Sequence, residues 1–142
     1  ESITPASSVR NLGVIVDQSL SFRPHISHVV SSCFYQLRRM KSSLKRLPSN
    51  TVRDIVNSFV ISRIDYCNCL LAKSPQCSLR RLQRVMNAAA RLVCGAGRRA
   101  HITPLLRDRL HWLRIEQRVT YKLCLLVYKT LHDMAPSYLS SV

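Results

Sequence analysis

Glycine and acid are the scarce ingredients of this chain. Gly13, Gly95 and Gly97 are its only glycines, so no glycine-rich loop can cradle a nucleotide phosphate. Acids number 7 in 142 residues. Asp17, Asp54, Asp65, Asp108, Glu116 and Asp133 stand singly, with Glu1 at the N-terminal end, and no clustered carboxylates suit two-metal phosphoryl transfer. C-x-x-C, H-E-x-x-H and His-x-Asp/Glu patterns are all missing. His25 and His28, and Cys67 and Cys69, therefore read as helix-start polar residues and packed thiols. No run of about 18 apolar residues exists, so no membrane span is expected. The opening Glu-Ser-Ile-Thr-Pro lacks the basic and apolar regions of a signal peptide. No catalytic residue, metal or cofactor is expected, and the chain reads as non-enzymatic.

What is present is base and grease together. Lys and Arg total 22, for a net charge of +15, while 46% of the residues are hydrophobic. That is enough apolar chain for one folded domain, with outer faces that suit a polyanion. Nucleic acid is the partner best matched to this. An anionic membrane suits it less, because base and grease are spread over several helices. A merely solvated basic face would repel itself with so few acids beside it. Six cysteines are present. Cys33, Cys67, Cys94 and Cys124 fall among apolar residues of predicted helices, which favours free thiols and a nuclear or cytoplasmic location.

The pattern predicts a mainly α fold, a bundle of about four main helices behind a short N-terminal β-strand or hairpin. Residues 1–8 form a polar leader, expected to be frayed. Residues 9–23 form the hairpin, with a β-branched strand over Val9–Asp17, a turn at Asp17-Gln18-Ser19 and a return at Leu20-Ser21-Phe22. Residues 24–142 form the helical domain. Pro24 opens the first helix, and Ile26, Val30, Cys33, Leu37, Met40, Leu44 and Leu47 draw its apolar seam. Ser49 is the expected cap of a second helix, with Val52, Ile55, Val56, Phe59, Val60, Ile64, Cys67, Leu70 and Leu71 inward, ending at Lys73-Ser74-Pro75. Ser78 is the expected cap of a third. Its inward residues are Leu79, Leu82, Val85, Met86, Ala89, Leu92 and Val93, and Gly95-Ala96-Gly97 terminates it, with glycine free to adopt a left-handed cap. Thr103 and Pro104 open a short helix. Ile115–Met134 is the last long helix, with Val119, Leu123, Leu126, Val127 and Leu131 as its core stripe.

Basic residues recur at helical spacing on two of these helices. Arg38, Lys41 and Lys45 share a face of the first, with Arg39 and Arg46 on the adjacent strip. Arg80 and Arg84 lie one turn apart on the third, with Arg81 beside them, and Arg91, Arg98 and Arg99 continue the charge past its end. Arginine suits bidentate phosphate contact, so these are the candidate nucleic-acid-binding residues, touching backbone without reading sequence. Trp112 and the helical tyrosines Tyr35, Tyr66, Tyr121 and Tyr128 are expected to pack in the core with their polar tips partnered.

Several blocks, in order, carry a resemblance: N-L-G-V-I-V-D-Q-S-L-S-F-R-P-H-I, S-R-I-D-Y-C-N-C-L-L, L-Q-R-V-M-N-A-A-A-R-L-V, H-I-T-P-L-L, L-H-W-L and Y-K-L-C-L-L-V-Y-K-T-L-H. Together they resemble the C-terminal part of LINE-type, non-LTR retrotransposon reverse transcriptases of the chicken-repeat and jockey-like clades, over nearly everything from Val9 onward. The resemblance implies that Leu12, Gly13 and Val14 belong to a primer-grip hairpin closing the polymerase palm. It implies that the helices are a thumb clasping an RNA or RNA–DNA template–primer duplex. The Tyr/Phe-x-Asp-Asp catalytic turn of that family lies upstream of the hairpin and is missing here, as are fingers and the rest of the palm, which become expected partners. Arg114 stands where the family usually has proline, and Asp133 where it often has glycine. The alternative expectation is a non-functional or protein-interaction remnant that self-associates through apolar surface left by the missing palm.

Overall fold

The computed structural model describes residues 6–140. Most of the predicted leader, residues 1–5, lies outside the described residues, as do the last two. The fold is a mainly α bundle with a two-stranded antiparallel hairpin at its N-terminal end. The hairpin is tighter and earlier than the sequence suggests. Strand β1 (Ser8–Asn11) pairs with β2 (Val14–Asp17) in the register Asn11↔Val14 and Ser8↔Asp17. Leu12 and Gly13 both have positive φ, 45° and 87°, which is the two-residue turn whose twist matches the strands. The predicted return strand at Leu20-Ser21-Phe22 does not form. A strand running unbroken from Val9 to Asp17 was the wrong inference because Gly13 sits mid-run and supplies the turn itself.

Residues 18–22 instead lead into helix α1 (Arg23–Leu44), with Pro24 in its first turn. Asp17 organises this junction. Its carboxylate accepts hydrogen bonds from the Ser19 and Ser21 hydroxyls at 2.6 and 2.8 Å and from the Ser21 and Phe22 amides at 3.1 and 2.8 Å. Two further bonds seat the hairpin on the helices. The Ile15 amide donates to Nδ1 of buried His25 at 3.4 Å, and the Tyr66 hydroxyl donates to the Leu12 carbonyl at 2.7 Å.

After Pro48 the chain returns along α1 as one helical rod: α2 (Ser49–Val56), a π turn (Asn57–Ile61) and α3 (Ser62–Asp65). Hydroxyls of Ser58 and Ser62 bond the carbonyls four residues back, a competition that loosens the regular ladder where the wider turn sits. Ser49 is the first helical residue, not the cap, a position Pro48 holds. The rod stops at Tyr66 and Cys67, short of the predicted Lys73, and a 3₁₀ turn (Asn68–Leu71) follows. Phe59 and Leu70 face solvent, while Val52, Val56, Val60, Ile64 and Leu71 are buried.

Helix α4 (Gln76–Val93) is the centre of the bundle. Leu79, Leu82, Val85, Met86, Ala89, Ala90 and Val93 are all buried, and it touches α1, α2 and the segments that follow it. Ser78 is buried inside its first turn and does not cap it. Pro75 precedes the helix and needs no donor of its own. The expected glycine stop does form: Gly95 has φ 60°, and the Ala96 amide returns to the Arg91 carbonyl at 2.9 Å. Short α5 (Ile102–Pro104) has Pro104 as its last residue and His101, not Thr103, before its first. A π turn (Leu105–Arg109) continues it.

Helix α6 (Ile115–Leu131) departs most from expectation. Only Ile115 and Val119 are buried. Its start is fixed by the Ile115 amide bonding Gln83 Oε1 at 2.9 Å and by the Arg118–Asp65 ion pair at 2.5 Å. Burial pushes the Asp65 carboxyl above its ordinary value, against the opposing pull of Arg118 and Lys122. Beyond the turn at Asn68–Leu71 the helix leaves the bundle, so Leu123, Leu126, Val127 (57% exposed) and Leu131 (75% exposed) form no core stripe. Helix α7 (Ser137–Ser140) follows Pro136. The six cysteines are free thiols, with Cys33 fully buried and Cys77 and Cys124 exposed. Desolvation in the core pushes the Cys33 thiol up to about 11.

Two outcomes test this account. Met86 is fully buried at the middle of α4, so Met86→Ala should cost about 2–5 kcal/mol in chemical denaturation. The Asp17 carboxyl is held well below its ordinary 3.8, first by the Ser19 hydroxyl and then by Ser21 and Phe22. The charged form is thus the one the fold prefers, and its contribution is present above that value and lost as pH falls below it. Asp17→Asn should lower the melting temperature at pH 6, and the gap to the parent should close as the pH is taken below about 4.

Candidate nucleic-acid interface

Helices α1 and α4 run side by side in the same direction. Near their N-terminal ends Arg81 Nη1 donates to Ser27 Oγ at 3.0 Å. Near their C-terminal ends they flank a groove of about 860 Å³, closed by the start of α2 and the loop after α4. Its floor is apolar, built from Phe34, Leu37, Leu44, Val52, Leu92 and Val93. Its rim carries Arg38, Lys41, Lys45, Arg91, Arg98 and Arg109, and among the described residues no acid lines it.

The helical repeat explains the gathering. At about 100° per residue, Arg38, Lys41 and Lys45 fall on the flank of α1 that turns toward α4. Arg80, Arg84 and Arg91 fall within about 40° of one another on α4, so the exposed Arg80 and Arg84 lead along that helix to the groove. The glycine stop bends the chain back so that Arg98 reaches the rim, and Arg91 Nη2 holds this loop through the Ala100 carbonyl at 3.4 Å. Among the described residues no carboxylate pairs with any rim cation; the two ion pairs are Arg107–Asp108 and Arg118–Asp65.

Not every predicted residue joins. Arg81 is half-buried and tied to Ser27, so it fastens α1 to α4. Arg39 lies about 100° round α1 from Arg38, with its guanidinium 5.5 Å over the exposed Tyr35 ring, and Arg46 stands in the turn past the end of α1; neither lines the groove. Arg99 is exposed beside the rim residue Arg98. Leu12 and Gly13 form the hairpin tip, with Leu12 86% exposed, while Val14 is buried. Arg91, read from the sequence as continuing the charge of the third helix, joins the rim. Arg109 is a rim residue the sequence reading missed, because it comes from a separate short segment. The tyrosines correct the expectation of core packing: Tyr35, Tyr66, Tyr121 and Tyr128 are all exposed, and only Trp112 packs partly against the core.

Among the described residues, no group of three or more His, Cys, Asp or Glu could hold a metal ion, and no helix is long and apolar enough to cross a membrane. Asp54 is exposed, Asp65 holds Arg118 and Asn68, and Asp108 holds Arg107.

The two arginines of α4 should separate fastening from binding. Arg81→Ala should lower thermal stability and change the salt dependence of nucleic-acid binding little. Arg84→Gln should leave the melting temperature within about 2 °C and shrink the magnitude of the log K against log salt slope by about 1. Thermal melts and a salt series on both variants check this.

No family model, curated protein or solved structure matches this chain.

Proposed function

We propose that this chain is a non-catalytic nucleic-acid-binding module that grips the sugar–phosphate backbone of RNA or an RNA–DNA duplex in the α1–α4 groove. One observation carries the reading: cations from α1, α4 and the loop after α4 gather around one groove with no acid among its lining residues. A net charge of +15 that found no polyanion would leave those cations repelling one another. Phosphates satisfy them, and guanidiniums satisfy them bidentately. The apolar floor gives sugar faces a dry seat between the charged contacts. The contacts are to backbone, so binding is independent of sequence. The resemblance to the thumb of LINE-type reverse transcriptases agrees with this role, since that part of the polymerase clasps template–primer and does no chemistry itself. On the same reading, palm and fingers are the protein partners and the tip residues Leu12 and Gly13 face the primer.

A second reading rests on α6. Leu123, Leu126, Val127 and Leu131 lie exposed on a helix that leaves the bundle, and apolar surface of this kind drives self-association.

Binding is tested by titrating an RNA–DNA duplex at several salt concentrations. If Arg38, Lys41, Lys45, Arg80, Arg84 and Arg98 each neutralise one phosphate, log K should fall against log salt with a slope of about −5. The triple variant Arg38→Gln, Lys41→Gln, Lys45→Gln should bring the slope to about −2.5 with helix content unchanged. A salt-independent affinity sinks the proposal. Sedimentation of the unliganded chain addresses the second reading: salt-insensitive oligomers that ignore duplex would favour it over the first.

A further inference from the structure

A smaller cavity, of about 490 Å³, lies on the other side of α1, beneath the hairpin. Arg10 reaches it from β1, His28 and Ser32 from α1, Arg63 from α3, and Tyr66 from the residue that follows. No acid lines it. Arg63 is set in place by a 2.6 Å hydrogen bond from Nη1 to Ser32 Oγ, which leaves its other N–H groups and the Ser32 proton available. Among the described residues Arg10 and His28 have no hydrogen-bond or ionic partner. The cavity keeps its shape because both walls are pinned, by Tyr66 on the Leu12 carbonyl and by His25 under the Ile15 amide. Two guanidiniums converging from different elements match a dianion better than a single negative charge. A phosphate monoester carries about −2 above its second pKa near 6, whereas a bridging phosphodiester carries one charge.

The same flank of α1 continues away from the cavity. At about 100° per residue, His28, Ser32, Tyr35 and Arg39 fall within about 60° of one another, and Arg46 stands in the turn two residues past the end of the helix. They form a track with an exposed aromatic ring and two guanidiniums, which gives Arg39 and Arg46 the place that the groove denies them. Aromatic faces and cations in line suit a single strand, base on ring and phosphate on guanidinium.

We propose that the cavity under the hairpin binds the terminal phosphate of a nucleic-acid strand, whose following nucleotides lie along Tyr35, Arg39 and Arg46. The choice of a nucleic acid as carrier rests on the function proposed above, but the phosphate site is separate from the groove and can stand or fall without it.

The experiment uses the whole chain. Three short single strands of one sequence are titrated: 5′-phosphorylated, 3′-phosphorylated and unphosphorylated. One phosphorylated form should bind about tenfold more tightly than the unphosphorylated strand. That preference should vanish in Arg10→Gln and in Arg63→Gln, and survive in the groove variant Arg38→Gln, Lys41→Gln, Lys45→Gln. Arg10 stands on an exposed strand, so its variant reports on the site even if loss of Arg63 disturbs the Ser32 contact. Inorganic phosphate is the second probe, followed by His25 ring-proton resonances against pH. His25 is held below its ordinary 6.5 by burial and by His28, and it faces His28 on α1, Arg10 on β1, and Arg63 and Tyr66 across the cavity. A bound dianion should raise its titration midpoint in the parent and not in Arg10→Gln. Equal affinity for all three strands with no phosphate effect on His25 overturns the site. A phosphate effect on His25 without any strand preference supports the anion cavity and overturns the nucleic-acid carrier. Loss of duplex binding with the end preference intact would strike the groove and spare this site.

Discussion

Burial of α4 is the constraint on which the rest of this molecule depends. Leu82, Val85, Met86 and Ala89 are all but inaccessible, and they are what α1, the α2–α3 rod and the start of α6 pack upon. The small Ala89 and Ala90 leave room for neighbouring backbones, so α4 can be covered on several sides along most of its length. What remains open is one narrow stripe, and on it stand Arg80, Arg84 and Arg91. The groove is a consequence of the same packing. α1 is fastened to α4 at Ser27 and Arg81, and toward the other end long side chains fill the rim. Arg38, Lys41, Lys45 and Arg98 stay exposed there, while the methylenes of their stems cover the apolar floor beneath; Arg91 is half-buried, with its Nε buried and unpartnered.

The acids explain why the cations are left over. Asp17 is consumed at the hairpin–helix junction by hydroxyls and amides, and Asp65 by Arg118 and Asn68 at the base of α6. Each is spent on organising backbone, and neither lies near the groove. A chain with 7 acids and 22 bases that commits acids to junctions keeps few for its surface. The resulting self-repulsion lowers stability at low ionic strength and is relieved by salt or by a polyanion. The core that α4 assembles must therefore be strong enough to hold like charges around a single groove.

Legibility followed the source of the signal. The α1 seam and the α4 face were plain in the sequence because a helix buried on one broad side repeats its apolar residues at three and four, and nothing competes with that pattern. The left-handed stop at Gly95 was plain because glycine is cheapest there. The hairpin was misread where β-branched residues surround Gly13, since strand propensity cannot see that two residues of positive φ reverse the chain. Ser49, Ser78 and Thr103 looked like caps, yet Pro48 and Pro75 already open α2 and α4 without needing a side chain, and His101 precedes α5. The α6 stripe had the right period and the wrong inference, because periodicity shows that a face is apolar and never that something covers it. In the candidate site, Arg38, Lys41, Lys45, Arg80 and Arg84 could be gathered from spacing within one helix. Arg109 could not, because its place depends on how a distant segment folds back.

The same distinction bears on α1, which carries base on two flanks. Spacing alone put Arg38 and Arg39 in adjacent strips of one surface, as though they served one ligand. In three dimensions the first turns toward α4 and the second toward Tyr35, with about 100° of the helix circumference between them. A single duplex backbone lying in the groove touches the first flank, so the cations of the second need a separate reason to be there. The hairpin supplies one. By docking Leu12 on Tyr66 and Ile15 on His25 it brings Arg10 toward Arg63, two charges that would otherwise separate, across a cavity that no acid among the described residues lines. Holding like charges together costs free energy, and the hydrogen bond of Arg63 to the neutral Ser32 hydroxyl leaves both charges without a counter-charge. An anion bound between them would recover it.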